Sequence, residues 1–323
     1  MWKQKLCLSA NLTGDLSIAD QIRLIHKAGF EAFFTDWKSG DPTKEYADLA
    51  HELGMTYQSI HAPFGKSADM WHGSDEEGKA AVDELISCVH ACAESGVEIM
   101  VAHTFIGFDD NRKPTAKGLE RFGRVVEEAK KHSVKIAFEN TEGEEYLAAL
   151  MEHFKESENV GFCWDTGHEM CYNYSKDLLA LYGDKLIATH LNDNLGISDF
   201  GGRIYWTDDL HLLPFDGIAD WDGIAKRLDT HAFDGIMTFE LNIRSKPDRH
   251  ENDVYAKMTL EEYIAERLDT HAFDGIMTFE LNIRSKPDRH ENDMYSKMTI
   301  EEYIAECYKR ACRVAAKRIR FQK

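Results

Sequence analysis

Six residues of metal-binding type stand at the ends of short apolar runs: His61, His103, Glu139, Asp165, His190 and Glu240. Imidazole and carboxylate together suit Mn, Mg, Co, Fe or Zn and do not choose among them. A single polar residue at the end of such a run is ordinary, and a lone histidine is more often a hydrogen-bonded structural residue than a ligand. Six at one structural position are hard to assign to chance. Three local patterns add to them. HAPF (61–64) sets His61 before a turn. WDTGH (164–168) puts Asp165 and His168 three apart across a glycine turn. DDLHLLPFDG (208–217) puts Asp209 and His211 two apart, so an extended loop shows both on one side.

These residues need a frame that brings run ends together. The runs at 5–10, 31–36, 56–61, 97–103, 134–140, 160–165, 186–191 and 235–241 have strand length and apolar character. Between them lie helical patterns. SIADQIRLIHKAGF opens on a serine and closes at glycine, with Ile18, Ile22, Ile25 and Phe30 spaced for one face. DEEGKAAVDELISCVHACAESG, GLERFGRVVEEAKKH and EEYLAALMEHFKES continue the rhythm. Eight strands alternating with helices predict a parallel sheet, and eight is the number that closes an α/β barrel of the (β/α)8 TIM type. All strand C-termini then open on one mouth, where such barrels carry their active sites. An open doubly wound sheet is the alternative, but no GxGxxG follows the first strand. No Pro-rich or Gly/Ser linker divides the chain, so residues 1–323 are expected to form a single domain. The segment 192–221 predicts a long functional loop.

The 323-residue chain carries a net charge of -19. A surface this acidic repels phosphate backbones and anionic membranes, so no nucleic-acid partner is expected. No stretch approaches the roughly 20 apolar residues of a membrane span, and MWKQKLCLSANL reads as a first strand, not a signal peptide. Seven scattered cysteines without a CxxC pair suit reduced thiols. The expectation is a soluble cytoplasmic protein.

HAPF, FENTEG, WDTGH, HLNDN and DxHxLPxxGxxDW, in that order, resemble the xylose-isomerase-like barrels. That superfamily includes sugar-phosphate isomerases and epimerases and also endonuclease IV. The ketose-epimerase resemblance implies one divalent metal (Mn, Co, Mg or Zn) on Glu139, Asp165, His190 and either Glu240 or Glu280. It implies that the two glutamates act as acid and base on a sugar or sugar phosphate, through an enediolate. His168 then resembles the ligand of a substrate oxygen. The endonuclease IV resemblance implies three zinc ions on His61, His103, Glu139, Asp165, His168, His190, Asp209, His211 and Glu240 or Glu280. All nine types are present, but the acidic charge favours the sugar reading, with the zinc phosphodiesterase as alternative. Among weaker candidates, some of Trp37, Phe64, Trp71, Phe105, Phe108, Trp164 and Trp206 could wall a sugar ring. Gly201, Gly202 and Arg203 could bind phosphate, and Lys66 an anion. Packing, a plain loop and a solvated lysine are the competing readings.

Residues 227–266 and 267–306 are near-identical copies, differing at Val254/Met294, Ala256/Ser296 and Leu260/Ile300. Each reads as the end of a helix, a strand and the start of the next helix, with one glutamate after the strand: Glu240 or Glu280. A closed barrel has no room for a ninth strand, so one copy is surplus. The short connection RLDTHAFDG favours Glu240. A spare GIMTFEL strand could pair with another chain, which makes a homo-oligomer possible.

Overall fold

The computed structural model describes residues 4–108, 110–243, 245–251, 253, 309, 310 and 313. The chain alternates strands and helices in this order: β1 (Leu6–Ser9), α1 (Ile18–Lys27), β2 (Ala32–Asp36), α2 (Thr43–Leu53), β3 (Thr56–His61), α3 (Ser67–His72), α4 (Asp75–Glu94) and β4 (Ile99–His103). It continues with α5 (Ala116–Lys131), β5 (Lys135–Glu139), α6 (Glu144–His153), β6 (Val160–Asp165), α7 (Thr166–Cys171) and α8 (Leu179–Tyr182). The last described elements of the barrel are β7 (Leu186–His190), α9 (Trp221–Thr230) and β8 (Met237–Phe239).

All strand pairs are parallel, in the order β7-β6-β5-β4-β3-β2-β1-β8. β8 pairs with β1 through Leu6↔Met237, Cys7↔Thr238 and Leu8↔Phe239. The remaining seam, between β7 and β8, is closed by a bridge Leu191↔Phe239 and by Leu191 N–H donating to Thr238 O at 2.8 Å. Thr238 N–H also donates to Thr189 Oγ1 at 3.1 Å. The fold is therefore a (β/α)8 TIM barrel, nearly closed by main-chain ladder and sealed by one bridge.

The helices form where sequence capping directs them. Ser17 caps α1 by accepting from Asp20 N–H, and Ser74 with Glu77 forms a reciprocal capping box on α4. α2 and α3 lack a side-chain cap, and the sequence patterns used above did not register them. Two apolar layers follow from the strand alternation. Leu6, Leu8, Phe33, Ile60, Met100, Ile136, Phe138 and Phe162 pack outward against helices, in one core with Ile22, Ile25, Val82, Val89 and Leu150. Small inward residues, including Cys7, Ala32, Val101, Ala137, Cys163 and Ala188, fill the barrel. Cys88 and Cys92 are buried on α4. No helix among the described residues is long and apolar enough to cross a membrane.

The first copy of the repeat supplies the end of α9 and all of β8. The second copy, residues 267–306 with Glu280, lies outside the described residues. Arg310 donates to Pro214 O at 3.0 Å and pairs with Asp216, so it touches the loop that precedes α9.

Candidate functional site

β3, β4, β5, β6 and β7 end on His61, His103, Glu139, Asp165 and His190, and Glu240 directly follows β8. Parallel strands deliver all six to one mouth. Asp165 also caps α7, with its Oδ1 accepting His168 N–H at 2.6 Å. The three-residue spacing in WDTGH is therefore a helix start and not a simple turn. Asp209 and His211 come from the long β7–α9 loop. His211 has φ 48, an uncommon left-handed conformation for a non-glycine residue, and its carbonyl accepts Asn242 N–H at 3.0 Å.

Glu139 is the hub. Its Oε2 lies 3.2 Å from His61 Nε2, 3.3 Å from His190 Nδ1 and 3.5 Å from His103 Nε2. Its Oε1 lies 3.1 Å from His168 Nδ1. Glu240 Oε2 is 3.0 Å from His190 Nδ1 and 3.8 Å from His211 Nδ1. Asp209 Oδ1 is 2.7 Å from His211 Nε2 and 3.6 Å from His168 Nε2. Glu139, Asp165, His190 and Glu240 each offer one donor atom, all within 4.8 Å of one another. His61–His103–Glu139 and Asp165–His168–His211 form adjoining groups with the same spacing. Nine of the ten sequence-selected residues thus meet at one place; Glu280 lies outside the described residues.

The hydrogen bonding bears on whether this set suits a cation. His61 Nδ1 is 2.9 Å from Ala62 O, and His168 Nδ1 is 2.9 Å from Asn140 O. A carbonyl only accepts, so these Nδ1 atoms carry protons. In the neutral ring, Nε2 then points a lone pair at a carboxylate: Glu139 for His61 and Asp209 for His168. That opposition is stable only with added positive charge, as an imidazolium proton or a bound cation. Buried polar atoms without an aligned hydrogen bond concentrate here as well: His103 Nδ1, both ring nitrogens of His190, Asp209 Oδ1 and His211 Nε2. Close but misaligned donors and acceptors are what convergent ligand lone pairs look like. The donor set fits a divalent metal.

The charges are strongly coupled. Burial opposes ionisation of Glu139, but His190 and His103 outweigh it and hold its carboxyl well below the usual range. Glu240 is likewise held at about 2, with His190 and His211 overcoming burial. Burial pushes Asp165 up to about 6 against the pull of His168 and His211. His103 is depressed to about 4 by burial. Burial acts against protonated His168 and His190 too, yet their anionic neighbours raise both well above an ordinary imidazole.

Three neighbouring residues that spacing did not single out hold this geometry. Asn140 Nδ2 donates to Asp165 O at 2.9 Å while its Oδ1 accepts Asp165 N–H at 2.8 Å, tying β5 to β6. Asn192 Nδ2 donates to Asp165 Oδ2 at 3.0 Å. Asp193 accepts Phe215 N–H at 2.8 Å, Ala219 N–H at 2.9 Å and Trp221 Nε1–H at 2.8 Å, folding the long loop over the mouth. The signal for them was present in FEN and HLNDN: polar residues immediately after strand ends.

A cavity of about 210 Å³ opens above the ligand-type residues. Ser9, Asn11, Asp36, Phe64, Asn242 and Lys246 line it beside them. Asp36 ends β2 and belonged in the original set by the same criterion. Phe64, 47% exposed, stacks on His103 with ring centroids 4.6 Å apart. Lys246 Nζ is 3.1 Å from Asp209 Oδ2 and 5.4 Å from the centroid of the half-exposed Trp206 ring. Trp37, Trp71, Phe105 and Trp164 are buried packing residues. Lys66 pairs with Glu84 at 2.7 Å, and Arg203 stacks on Tyr205, neither of them lining the cavity.

A family model described as the xylose isomerase-like TIM barrel matches residues 22–260, about three-quarters of the chain. A probable endonuclease 4 of Cenarchaeum symbiosum (strain A) is 25% identical over 189 residues, covering 55% of this chain and 60% of that protein. Among solved structures, an IOLI protein with a bound zinc atom superposes with TM-score 0.67 at 17% identity, covering 98% of this chain and 99% of the other. A D-tagatose 3-epimerase-like protein superposes with TM-score 0.57 at 20% identity, covering 78% and 96%. At these identities the structural matches speak to the fold alone, and it is the family model, on a barrel with this ordered set of strand-end residues, that makes the chain a member of the xylose isomerase-like TIM barrel family.

Proposed function

We propose that the protein is a divalent-metal-dependent isomerase or epimerase of a sugar or sugar phosphate, working by proton transfer next to a carbonyl. The observation that carries the reading is the convergence of two carboxylates, Glu139 and Glu240, on one imidazole, His190, beneath a small polar cavity. At about 210 Å³ the cavity is below the roughly 300–1,000 Å³ of sites for drug-sized ligands, which suits a compact polyol.

Glu139, Asp165, His190 and Glu240 would hold the metal, which supplies a positive charge to polarise a carbonyl. The chain's own residues supply the rest. One ionised carboxylate can take a proton from the carbon beside the carbonyl, leaving an enediolate of the sugar; the carboxyl so formed can return that proton to the neighbouring carbon, or the second carboxyl, in its protonated form, can deliver one to the opposite face. Asp36, Asn11, Asn242 and Lys246 offer hydrogen bonds to hydroxyl groups, with Lys246 the cation that could meet a phosphate. Phe64 offers an apolar face to a ring. The D-tagatose 3-epimerase-like neighbour supports this substrate class.

A second reading draws on the adjoining His61–His103–Glu139 and Asp165–His168–His211 groups and on the endonuclease 4 relative. Those groups could carry further zinc ions for phosphodiester cleavage. The net charge of -19 weighs against duplex binding, which rests largely on cationic contacts to phosphates.

The test is a chelated protein with Mn, Co, Mg or Zn added back against a ketose and ketose-phosphate panel in D2O. Metal-restored deuterium exchange at the carbon beside the carbonyl is expected. Full activity without metal sinks the proposal, and efficient cleavage of an abasic duplex by the zinc-loaded protein moves the second reading to first place.

A further inference from the structure

A separate group of ligand-type side chains lies on the outer helical layer. His90 sits on α4; Glu128 on α5 and His132 just beyond its last residue are four apart, one turn along the same face. Glu128 Oε1 is 3.0 Å from His90 Nε2 and 3.4 Å from His132 Nε2. One donor atom from each residue lies within 4.8 Å of the other two. The two imidazole rings meet edge to face with centroids 4.9 Å apart.

These separations can be set against metal geometry. A tetrahedral zinc with bonds of about 2.0–2.1 Å places its ligand atoms about 3.3–3.4 Å apart. Both imidazole-to-carboxylate distances are already near that edge length. Glu128 is also prepared for the role. Its second oxygen, Oε2, accepts from Lys131 Nζ at 2.8 Å. That bond leaves Oε1 turned toward the imidazoles. The side chains of His90 and His132 are 43% and 40% exposed, so an ion can enter without opening the core, and a water can complete a fourth position.

Location separates this group from the mouth. α5 runs back toward the start of β5, and His132 precedes β5 by only Ser133 and Val134. The group therefore lies toward the strand N-termini, the end of a (β/α)8 barrel that serves stability. We propose that His90, Glu128 and His132 form a peripheral transition-metal site that takes Zn(II) and clips α4 to α5. Two imidazoles and one carboxylate are a zinc donor set, and the same set accepts Cu(II) or Ni(II).

The test uses the untagged full-length chain, stripped with chelator and titrated with Zn(II) against a chromophoric competitor. Wild type is expected to bind one equivalent more than the His90→Ala/His132→Ala double variant. Glu128→Gln should weaken that equivalent by at least about tenfold. The same equivalent should raise the thermal midpoint in wild type but not in the double variant, while turnover on whichever substrate the mouth accepts is the same in both. As a check that does not depend on substitution, the imidazole Hε1 signals of His90 and His132 should shift as the last equivalent enters the wild-type protein. Equal zinc stoichiometry in wild type and double variant overturns the proposal, as do unmoved His90 and His132 signals at zinc saturation. Loss of the mouth's metal or activity in a separate Glu139 variant leaves this result unchanged, so the two sites are distinguishable.

Discussion

Replacing Glu240 with glutamine keeps the side-chain shape and removes one charge from the centre of the mouth. The carboxylate it removes lies 3.0 Å from His190 Nδ1 and 3.8 Å from His211 Nδ1. Those neighbours lower its pKa from 4.5 to about 2 despite burial. At about 1.4 kcal/mol per pK unit, the charged form is favoured there by an amount on the order of 3 kcal/mol. An amide forgoes that interaction with any cation bound at the same place, so metal affinity should fall by about a hundredfold. Loss of a proton-transferring group costs a further 10² to 10⁴ in turnover, by the usual range for general acid–base catalysis. The assay has two arms. Metal per chain is measured after dialysis against limiting Mn, Co or Zn, and solvent-deuterium exchange into ketoses is followed by NMR. Glu280→Gln, with nearly the same sequence around it, should match wild type in both arms. The reasoning is refuted if Glu280→Gln removes metal and turnover while Glu240→Gln keeps them. A one-glutamate site is refuted if each of the two substitutions, made singly, abolishes both.

Deleting residues 267–306 should leave metal content and turnover unchanged, because β8 and Glu240 come from the first copy; loss of bound metal on deletion contradicts this. At Gly167 an added methyl would collide with Asn192 Oδ1. Asn192 cannot retreat easily, since its N–H donates to Thr166 Oγ1 and its carbonyl accepts from the same hydroxyl. Gly167→Ala should therefore pull Asn192 off Asp165 and weaken metal binding about 10- to 100-fold, with unchanged affinity in a competition titration as the contrary result. Burial raises Glu142 from 4.5 to about 7. A carboxyl with a raised folded-state pKa contributes stability below pH 4.5 that is lost as pH rises through 7, on the order of 3 kcal/mol. Glu142→Gln should show a flatter dependence of thermal midpoint on pH between 5 and 8 than wild type, and parallel profiles would contradict the assignment.

The barrel was legible because its strands are covered on both faces. Such strands read as continuous apolar runs, and each run ends where the backbone leaves the sheet. That is why the ends of β3 to β7 are legible at His61, His103, Glu139, Asp165 and His190 from the sequence alone. Helices with serine caps and glycine ends were equally plain. α2 was not, because Pro42 precedes it without a capping side chain. α7 hid inside WDTGH, where the aspartate serves both as a strand end and as a helix cap. Residue type also marked Asp209 and His211, although nothing in a loop's sequence says how far it folds back over the mouth. Asp193 decides that, through hydrogen bonds to Phe215, Ala219 and Trp221, residues more than twenty positions away. The cavity lining of Ser9, Asn11, Asn242 and Lys246 is likewise a matter of which loops stand side by side.

By itself, then, the chain's sequence determined the eight-stranded frame and the ligand-type residues around its mouth, since local apolar periodicity and strand length encode both. The tertiary structure is what brings Glu240 to the mouth, while the matching glutamate forty positions later, Glu280, lies outside the described residues. Two near-identical segments have the same local preferences, so the sequence offered only the short connection from the preceding helix as a ground for favouring Glu240. Glu240 arrives at the mouth by long-range pairing: Met237, Thr238 and Phe239 pair with Leu6, Cys7 and Leu8 of β1 and carry Glu240 to within 3.0 Å of His190.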